Sequence, residues 1–193
     1  MKKILLSLSA ILLTCNLQAK DNLVMEMGFN SQILEDTEKI DPENPNETTS
    51  TQNNQNINFD FYALLDVGDE EGFYVGPYAT VSLTNNGDNP NNYDSVVDYA
   101  PYGGGLIIRY EMDDMASAFG DWMFQTKIGY ALTKIGDRTA QGYSAGLSVG
   151  YEINDNWNIG VSATRYQLSY KKHYENVDAN INSVGLFLSY DIF

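Results

Sequence analysis

The sequence predicts an all-β fold, a closed antiparallel up-and-down barrel of eight transmembrane strands. First, large apolar side chains alternate with small or polar ones through most of the second half, and a repeat of two residues is typical of strands. Second, no stretch after the amino terminus approaches the ~20 apolar residues of a membrane-spanning helix. Third, the connections between candidate strands alternate between long and short, as in barrels with short periplasmic turns and longer outer loops.

The amino terminus has the layout of a secretory signal peptide. Lys2 and Lys3 precede the apolar run 4–13, and Ala19 supplies the small residue expected before a cleavage site. Cleavage there would remove the only cysteine, Cys15, so we expect a barrel held together without disulfides. The predicted domain organisation is a signal peptide at residues 1–19 and one barrel domain at residues 20–193.

The composition narrows the function. The chain has 11 Lys and Arg against 26 Asp and Glu, a net charge of −15. We expect no binding to nucleic acid, because phosphate backbones require a basic surface. The mean hydropathy of −0.33 agrees with a barrel whose lumen and loops are polar.

The first half of the chain predicts four strands. The first is expected at Asn22–Asn30, where Leu23, Met25, Met27 and Phe29 share one face. Residues 31–55 are acidic and contain two prolines, so this segment is predicted to be a long mobile loop. The next three strands are expected at Ile57–Val67, Phe73–Thr84 and Val96–Met112, separated by an acidic turn at Gly68–Gly72 and a loop at Asn85–Ser95.

The facing of the third strand is ambiguous in the sequence. One face would hold Phe73, Val75, Val81 and Leu83, and the other Tyr74 and Tyr78. Its proline, Pro77, indicates an edge irregularity or a bulge. In the fourth strand the outward set is clearer, and Arg109 and Glu111 then point inward; the outward residues are Ala100, Tyr102, Gly104, Leu106, Ile108 and Tyr110.

The second half predicts four more strands. They are expected at Trp122–Leu132, Gly142–Ile153, Trp157–Tyr170 and Val184–Phe193. In the seventh strand the alternation changes phase near Arg165, which predicts that Tyr166, Leu168 and Tyr170 continue the outward face. The connections are predicted at Asp113–Gly120, Lys134–Gln141, Asn154–Asn156 and Lys171–Asn180.

Large aromatic residues cluster near the ends of the predicted strands. Such rings typically form two girdles at the membrane interfaces of a barrel. The predicted girdle near the short turns contains Tyr110, Trp122, Tyr151, Trp157 and Tyr190, and the one near the long loops contains Phe59, Tyr102, Tyr130 and Tyr166.

The residues so far resemble the small eight-stranded outer-membrane barrels, a group of porin-family surface proteins that includes the OmpA transmembrane domain, OmpX and the opacity-type proteins. The local matches are the run Gly142–Ile153, the turn Asn154–Trp157, the strand Trp157–Tyr166 and the terminal Phe193. The resemblance implies an outer-membrane location in a Gram-negative bacterium. It also implies that Phe193 is a signal for the barrel-assembly machinery, although Tyr190 stands three residues before it.

Several charged residues fall on the predicted inward faces of the strands. Isolated charges inside a narrow barrel are costly unless they are paired or hydrated, and eight strands leave an interior that side chains nearly fill. We therefore interpret them as an ion-pair plug, in which Arg109 and Lys127 pair with acids of neighbouring strands. The predicted lumen charge network contains Asp60, Arg109, Glu111, Lys127 and Glu152.

The sequence contains no arrangement that predicts catalysis. The only histidine, His173, lies in a predicted loop, and no pair of carboxylates is placed as an acid and a base. We expect no enzyme activity and no cofactor. The polar clusters around Asn156 and Asp88 lack the spacing of a calcium loop and are interpreted as turns. We hypothesise only that the acidic first loop weakly binds Ca²⁺ or Mg²⁺.

The sequence therefore predicts a monomeric outer-membrane barrel of structural or surface-interaction type, with acidic outer loops and a lumen filled by side chains. Its expected partners are the lipid bilayer, lipopolysaccharide and the barrel-assembly machinery. One alternative is a narrow cation-preferring channel lined by Asp60, Glu111 and Glu152. A second is a periplasmic or lipid-anchored barrel that binds an apolar ligand, in which the large apolar side chains would point inward.

Overall fold

The fold is a closed all-β barrel. The computed structural model describes residues 22–38, 48–67, 72–84, 100–112, 121–135, 138–172 and 175–192. Among these residues no helix is long and apolar enough to cross a membrane. The predicted signal peptide, the predicted loop Asn85–Ser95 and Phe193 lie outside the described residues.

Eight antiparallel strands follow one another around the barrel in chain order, and the last strand pairs with the first. This confirms the predicted up-and-down topology. Pairs such as Met25↔Tyr190 and Leu34↔Ile181 close the sheet, so neither terminal strand has a free edge along this seam. The strands are β1 (Asn22–Glu38), β2 (Thr48–Asp66), β3 (Phe73–Thr84), β4 (Tyr102–Met112), β5 (Trp122–Ile135), β6 (Arg138–Asn154), β7 (Trp157–Lys172) and β8 (Glu175–Asp191).

Three hairpins are much longer than predicted. The predicted loop at 31–55 was wrong over 31–38 and 48–55, which are strand; residues 39–47 lie outside the described part. The predicted loops Lys134–Gln141 and Lys171–Asn180 were also wrong over most of their length. We call this side of the barrel the hairpin end, and the side with the turn Asn154–Trp157 the short-turn end. The polar composition was misleading because it averages over two faces, and only the inward face of each hairpin needs apolar side chains.

The structure settles the facing of β3. Tyr78, Thr80 and Ser82 are buried inside the barrel, whereas Val81 and Leu83 are exposed on its exterior. At Pro77 the pairing with β2 is interrupted, because the paired residues pass from Tyr62↔Tyr78 to Leu65↔Val75, but the register does not change. The fourth strand begins later than predicted, since Ala100 and Pro101 precede β4, while residues 96–99 lie outside the described residues.

A continuous band of apolar side chains covers the exterior nearer the short-turn end. Every strand contributes to it, because alternate residues of a strand point to the same side of the sheet. These side chains are more exposed than those of an ordinary protein core, and Leu106, Leu147 and Val184 each leave 61 to 65% of their surface uncovered. Further members are Met25, Phe29, Ile57, Leu65, Phe73, Ile108, Phe124, Ile128, Ile159, Val161 and Leu186.

Toward the hairpin end the inward face of the sheet becomes apolar and the outward face becomes polar. The interior becomes an apolar cluster, whereas Lys134, Gln167 and Asp178 point outward. The phase change predicted near Arg165 was wrong: the pairing of β6 and β7 runs without a shift from Tyr151↔Ile159 to Gln141↔Ser169, and Tyr166 is only 7% exposed. The interior cluster contains Leu34, Ala131, Ile135, Ala140, Tyr166, Leu168, Tyr170, Val177, Ala179 and Ile181.

The short-turn half of the interior packs rings against glycines. Phe187 on β8 is buried beside Gly150 and Gly160, and a Cβ at Gly160 would lie 2.6 Å from its Cε1 and Cζ atoms. The same Cβ would also collide with the carbonyl oxygen of Val149. The narrow barrel therefore encloses the ring of Phe187 where the neighbouring strands β6 and β7 carry glycines instead of side chains.

We predict that Gly160→Ala destabilises the barrel by about 1–3 kcal/mol, the usual cost of overpacking. The matched control is Gly146→Ala, whose Cβ would first meet the rotatable Thr164 hydroxyl, at 2.8 Å, and should cost less. The midpoint of urea-induced unfolding measures both. Equal midpoints for the two variants would contradict the packing described for Phe187.

Candidate functional site

The interior contains a buried ion cluster that crosses the lumen. The ammonium group of Lys127 on β5 donates hydrogen bonds to Glu26 of β1, at 2.7 Å, and to Asp60 of β2, at 2.5 Å. All three residues are buried. Because β5 lies opposite β1 and β2 in the barrel, this cluster ties together walls that share no backbone hydrogen bonds.

Neutral donors complete the hydrogen bonding of the two carboxylates. Glu26 accepts hydrogen bonds from the Tyr62 hydroxyl at 2.9 Å and the Gln125 amide at 3.2 Å, and Asp60 accepts one from Asn58 at 3.1 Å. The Lys127 ammonium also lies 5.3 Å from the centre of the Tyr62 ring, within the range of a cation–π contact. The cluster therefore offsets much of the desolvation cost of three buried charges.

A second ion cluster lies near the short-turn end. The Arg109 guanidinium donates to both carboxylate oxygens of Asp191, at 3.3 and 3.2 Å, and lies 2.5 Å from Glu111. Arg109 is 2% exposed. This cluster links β4 to β8 across the interior, beside the seam where β1 pairs with β8.

The structure divides the predicted lumen network into these two clusters. Asp60 lies with Lys127, and Glu111 lies with Arg109. The expectation that the cations pair with acids on neighbouring strands was wrong, since the described partners are on the same strand or across the lumen. Glu152 belongs to neither cluster; it is partly exposed at the end of β6.

Sequence reasoning missed several members of these clusters. Glu26 stands between Met25 and Met27, so the alternation of β1 already placed it inward. Tyr62 and Gln125 had the same signal in their own strands. Asp191 was not assigned to the lumen, because it lies among the aromatic residues of the carboxyl terminus. The missing information was which inward positions come to one height in the barrel, and this depends on the stagger of all eight strands.

The aromatic residues mark two levels on the exterior. At the short-turn end the rings form cross-strand pairs, Trp122 with Tyr151 at 5.7 Å and Trp157 with Tyr190 at 4.8 Å between ring centres. Tyr110 is exposed there as well. At the other level Tyr130 contacts Tyr143, with ring centres 5.8 Å apart. Phe59 and Tyr102 are partly exposed.

Two members of the girdle toward the hairpin end differ from the prediction. Tyr166 was assigned to it wrongly, because its ring belongs to the apolar interior cluster. Tyr143, which is 73% exposed, was missed. It lies at the predicted start of the strand Gly142–Ile153, in phase with the outward Ala145 and Leu147, so the alternation already placed its ring outside.

Little space remains beside the Lys127 cluster. The cavity there has a volume of about 20 Å³ and is lined by Asp60, Lys127, Tyr78, Ser144 and further polar residues. Since about 10–15 Å³ is needed to hold one water molecule, it has room for one or two. The part of the lumen that the structure describes thus has no room for a hydrated ion beside this cluster.

The polar turns do not form a metal site in the described part of the chain, where no group of three or more acidic, histidine or cysteine residues converges. The side chain of Asn154 instead accepts hydrogen bonds from the backbone amides of Asn156 and Trp157, at 3.1 and 3.2 Å. These asparagines therefore shape the turn between β6 and β7. His173 and Asp88 lie outside the described residues.

The barrel is similar to solved structures of Ail, the attachment invasion locus protein of Yersinia pestis. One, a complex with the heparin analogue sucrose octasulfate, has 12% identity and a TM-score of 0.53, with 88% of this chain and 97% of that chain covered. The other has 11% identity and a TM-score of 0.50, with 90% and 99% covered. The chain has the fold of the small eight-stranded outer-membrane barrels. At this identity the likeness to those outer-membrane barrels concerns the fold alone. No protein-family model and no curated protein matches the sequence.

We predict that Lys127→Met destabilises the barrel by about 3–5 kcal/mol, because Glu26 and Asp60 would lose their cation while remaining buried. The matched control is the triple variant Glu26→Gln, Asp60→Asn, Lys127→Met, which removes all three charges and should recover most of that loss. Urea unfolding followed by the fluorescence of Trp122 and Trp157 measures both. A single variant as stable as the parent would contradict a cluster held by its charges.

Proposed function

We propose that this protein is an outer-membrane barrel of a Gram-negative bacterium, of structural or surface-interaction type, with a lumen closed by its own side chains. The observation that supports this most strongly is the exterior band of exposed apolar side chains between two levels of aromatic residues. Such a surface would be unstable in water, since large contiguous apolar patches on soluble proteins are rare. Acyl chains are the environment that it fits.

The height of the band supports the same conclusion. From Trp122 to Tyr130 the strand β5 advances eight residues of ~3.3 Å, which at a tilt of ~40° corresponds to roughly 20 Å along the barrel axis. Transmembrane barrels have an apolar band of about 25 Å flanked by aromatic girdles. Above the Tyr130–Tyr143 pair the exterior becomes polar, as expected where the barrel leaves the bilayer.

The filled lumen argues against the alternative of a cation-preferring channel. The Lys127 cluster occupies the middle of the barrel, and the apolar cluster of Tyr166 and Leu168 fills it toward the hairpin end. An ion on this path would have to separate buried ion pairs and then cross an apolar section, and both steps are costly. Of the three acids assigned to the channel, only Asp60 and Glu111 are inside, and each is paired with a cation.

The barrel also lacks the arrangement expected of a carrier for an apolar ligand. In a carrier the large apolar side chains would point inward along the whole barrel, and the two terminal strands need not pair. Here Leu147, Ile128 and Leu186 point outward, and β1 pairs with β8. The apolar interior near the hairpin end is occupied by its own side chains, which are buried to 92% or more.

The surface-interaction part of the proposal concerns the hairpin end. The β1–β2, β5–β6 and β7–β8 hairpins extend beyond the aromatic level and present polar exteriors. Ail, whose fold is similar, is by its name an attachment invasion locus protein. Hairpins that extend from a membrane-anchored barrel are suited to present a binding surface outside the cell.

We predict that Leu106→Lys, near the middle of the apolar band, destabilises the barrel in lipid vesicles by about 2–4 kcal/mol, the cost of a lysine that faces the centre of a bilayer. The matched control is Gln167→Lys, which adds the same charge on the polar exterior toward the hairpin end and should have little effect. Urea unfolding in phosphatidylcholine vesicles measures both variants. Similar losses for the two would contradict a bilayer at the apolar band.

We also predict that the purified barrel is silent in planar bilayers, and that Lys127→Ala remains silent because the apolar cluster still closes the lumen. A large trimeric porin serves as the positive control for insertion. Stepwise conductance from the unaltered barrel would reject the closed lumen and favour the channel.

A further inference from the structure

In the part of the chain that the structure describes, the cations outside the lumen lie in one sector of the barrel. In the described strands, every Lys and Arg other than Arg109 and Lys127 belongs to β5, β6 or β7, on the side of the hairpin end. The full sequence has 26 acidic residues and only 11 basic ones. Arg165 is set apart within this group, because it lies lowest, next to the apolar band.

Arg165 has no acidic neighbour on the described exterior of the sheet. It is opposite Ala145 on β6 and Asn182 on β8, and neither carries a charge. The diagonal neighbours are likewise uncharged; they are Tyr143, Leu147, Asn180 and Val184. Both lumen cations, by contrast, contact two carboxylates each. An exposed guanidinium beside lipid requires an anion or water, and the residues paired with or diagonal to Arg165 on the sheet supply no anion.

An apolar groove runs down the exterior directly below Arg165. Its floor is formed by Ala145 and Ala163, and its sides rise at Ile128, Leu147 and Val184, which are 60 to 65% exposed. The groove has a volume of about 490 Å³, and Arg165 and Asn182 line its upper end. Its walls face the bilayer in the proposed orientation, so the chemistry of the groove fits an acyl chain.

A second depression lies above Arg165, on the polar exterior. It has a volume of about 460 Å³ and is lined by the rings of Tyr130 and Tyr143 and by side chains that can form hydrogen bonds. The latter include Gln141, Gln167, Ser169, Asp178 and Asn180. Exposed aromatic faces beside amides and a carboxylate are suited to sugar rings and their hydroxyl groups.

The order of these features along the barrel wall matches one class of molecule. An apolar groove, a guanidinium with no acidic residue opposite or diagonal to it on the described sheet, and an amide-lined aromatic depression follow each other toward the outside. We propose that this surface of β5–β8 binds a phosphorylated glycolipid, with an acyl chain over Ala145 and Ala163, a phosphate at Arg165 and the sugar beside Tyr143. This inference rests on the proposed membrane location. Arginine is well suited to the phosphate because its planar donors bind two oxygens at once.

The test measures lipid binding to the refolded, detergent-solubilised barrel by native mass spectrometry. The probes are lipid A, lipid A without its phosphates, and phosphatidylglycerol. The unaltered barrel should prefer lipid A over the dephosphorylated form by about tenfold, as expected for a charge-assisted contact. Arg165→Gln should abolish this preference. Lys171→Gln removes an equal charge farther from the groove and should change it by less than about twofold.

Filling the groove tests the position of the acyl chain. Ala163→Leu should weaken lipid A binding severalfold, whereas Ala63→Leu, the same change on the outward face of β2, should not.

Equal losses of lipid A preference for Arg165→Gln and Lys171→Gln would overturn the proposal in favour of diffuse charge. Equal affinity for phosphatidylglycerol and lipid A would also overturn it. Heat-modifiable gel migration of each variant reports folding, so a barrel that folds and enters vesicles without preferring lipid A contradicts this inference but not the proposed function.

Discussion

The closed register of the sheet is the constraint on which the rest of this structure depends. Once β1 pairs with β8, no strand can shift or rotate on its own, and each residue is committed to the inside or the outside. The surroundings change along the barrel, however, from an apolar exterior to a polar one. The sequence accommodates this change by exchanging the polar and apolar faces above the Tyr130–Tyr143 level, while the backbone continues unchanged.

Because the two faces are exchanged, the interior is polar and charged in one half of the barrel and apolar in the other. Where the outside is apolar, the polar face is turned inward, and its charged groups are paired with one another in the Lys127 and Arg109 clusters. Where the outside is polar, the hairpins pack an apolar core in the manner of a water-soluble protein. The clusters also supply contacts across the lumen, which the backbone ladder cannot provide because it joins only adjacent strands.

Much of the barrel was predictable from the sequence because a period of two can be read locally. The bounds of β3, the outward rows of β5 and the inward positions of Asp60 and Lys127 all follow from alternation. Strand ends were less predictable, since Ser31–Glu35 shows no alternation of polar and apolar residues and belongs to a segment with the composition of a loop. The apparent phase change at Arg165 had a related origin. Tyr166 and Leu168 are apolar and were therefore placed outside, although the inside is the apolar side at that height.

Side-chain accessibility along β7 would test this account most directly. A nitroxide placed at successive positions from 159 to 171 in vesicles reports contact with oxygen in lipid or with a nickel chelate in water. We expect lipid contact at Ile159 and Val161, water contact at Gln167 and Ser169, and protection from both at Leu168 and Tyr170. Lipid contact at Leu168 and Tyr170, with Gln167 and Ser169 protected, would show that the strand does change phase and would contradict the account.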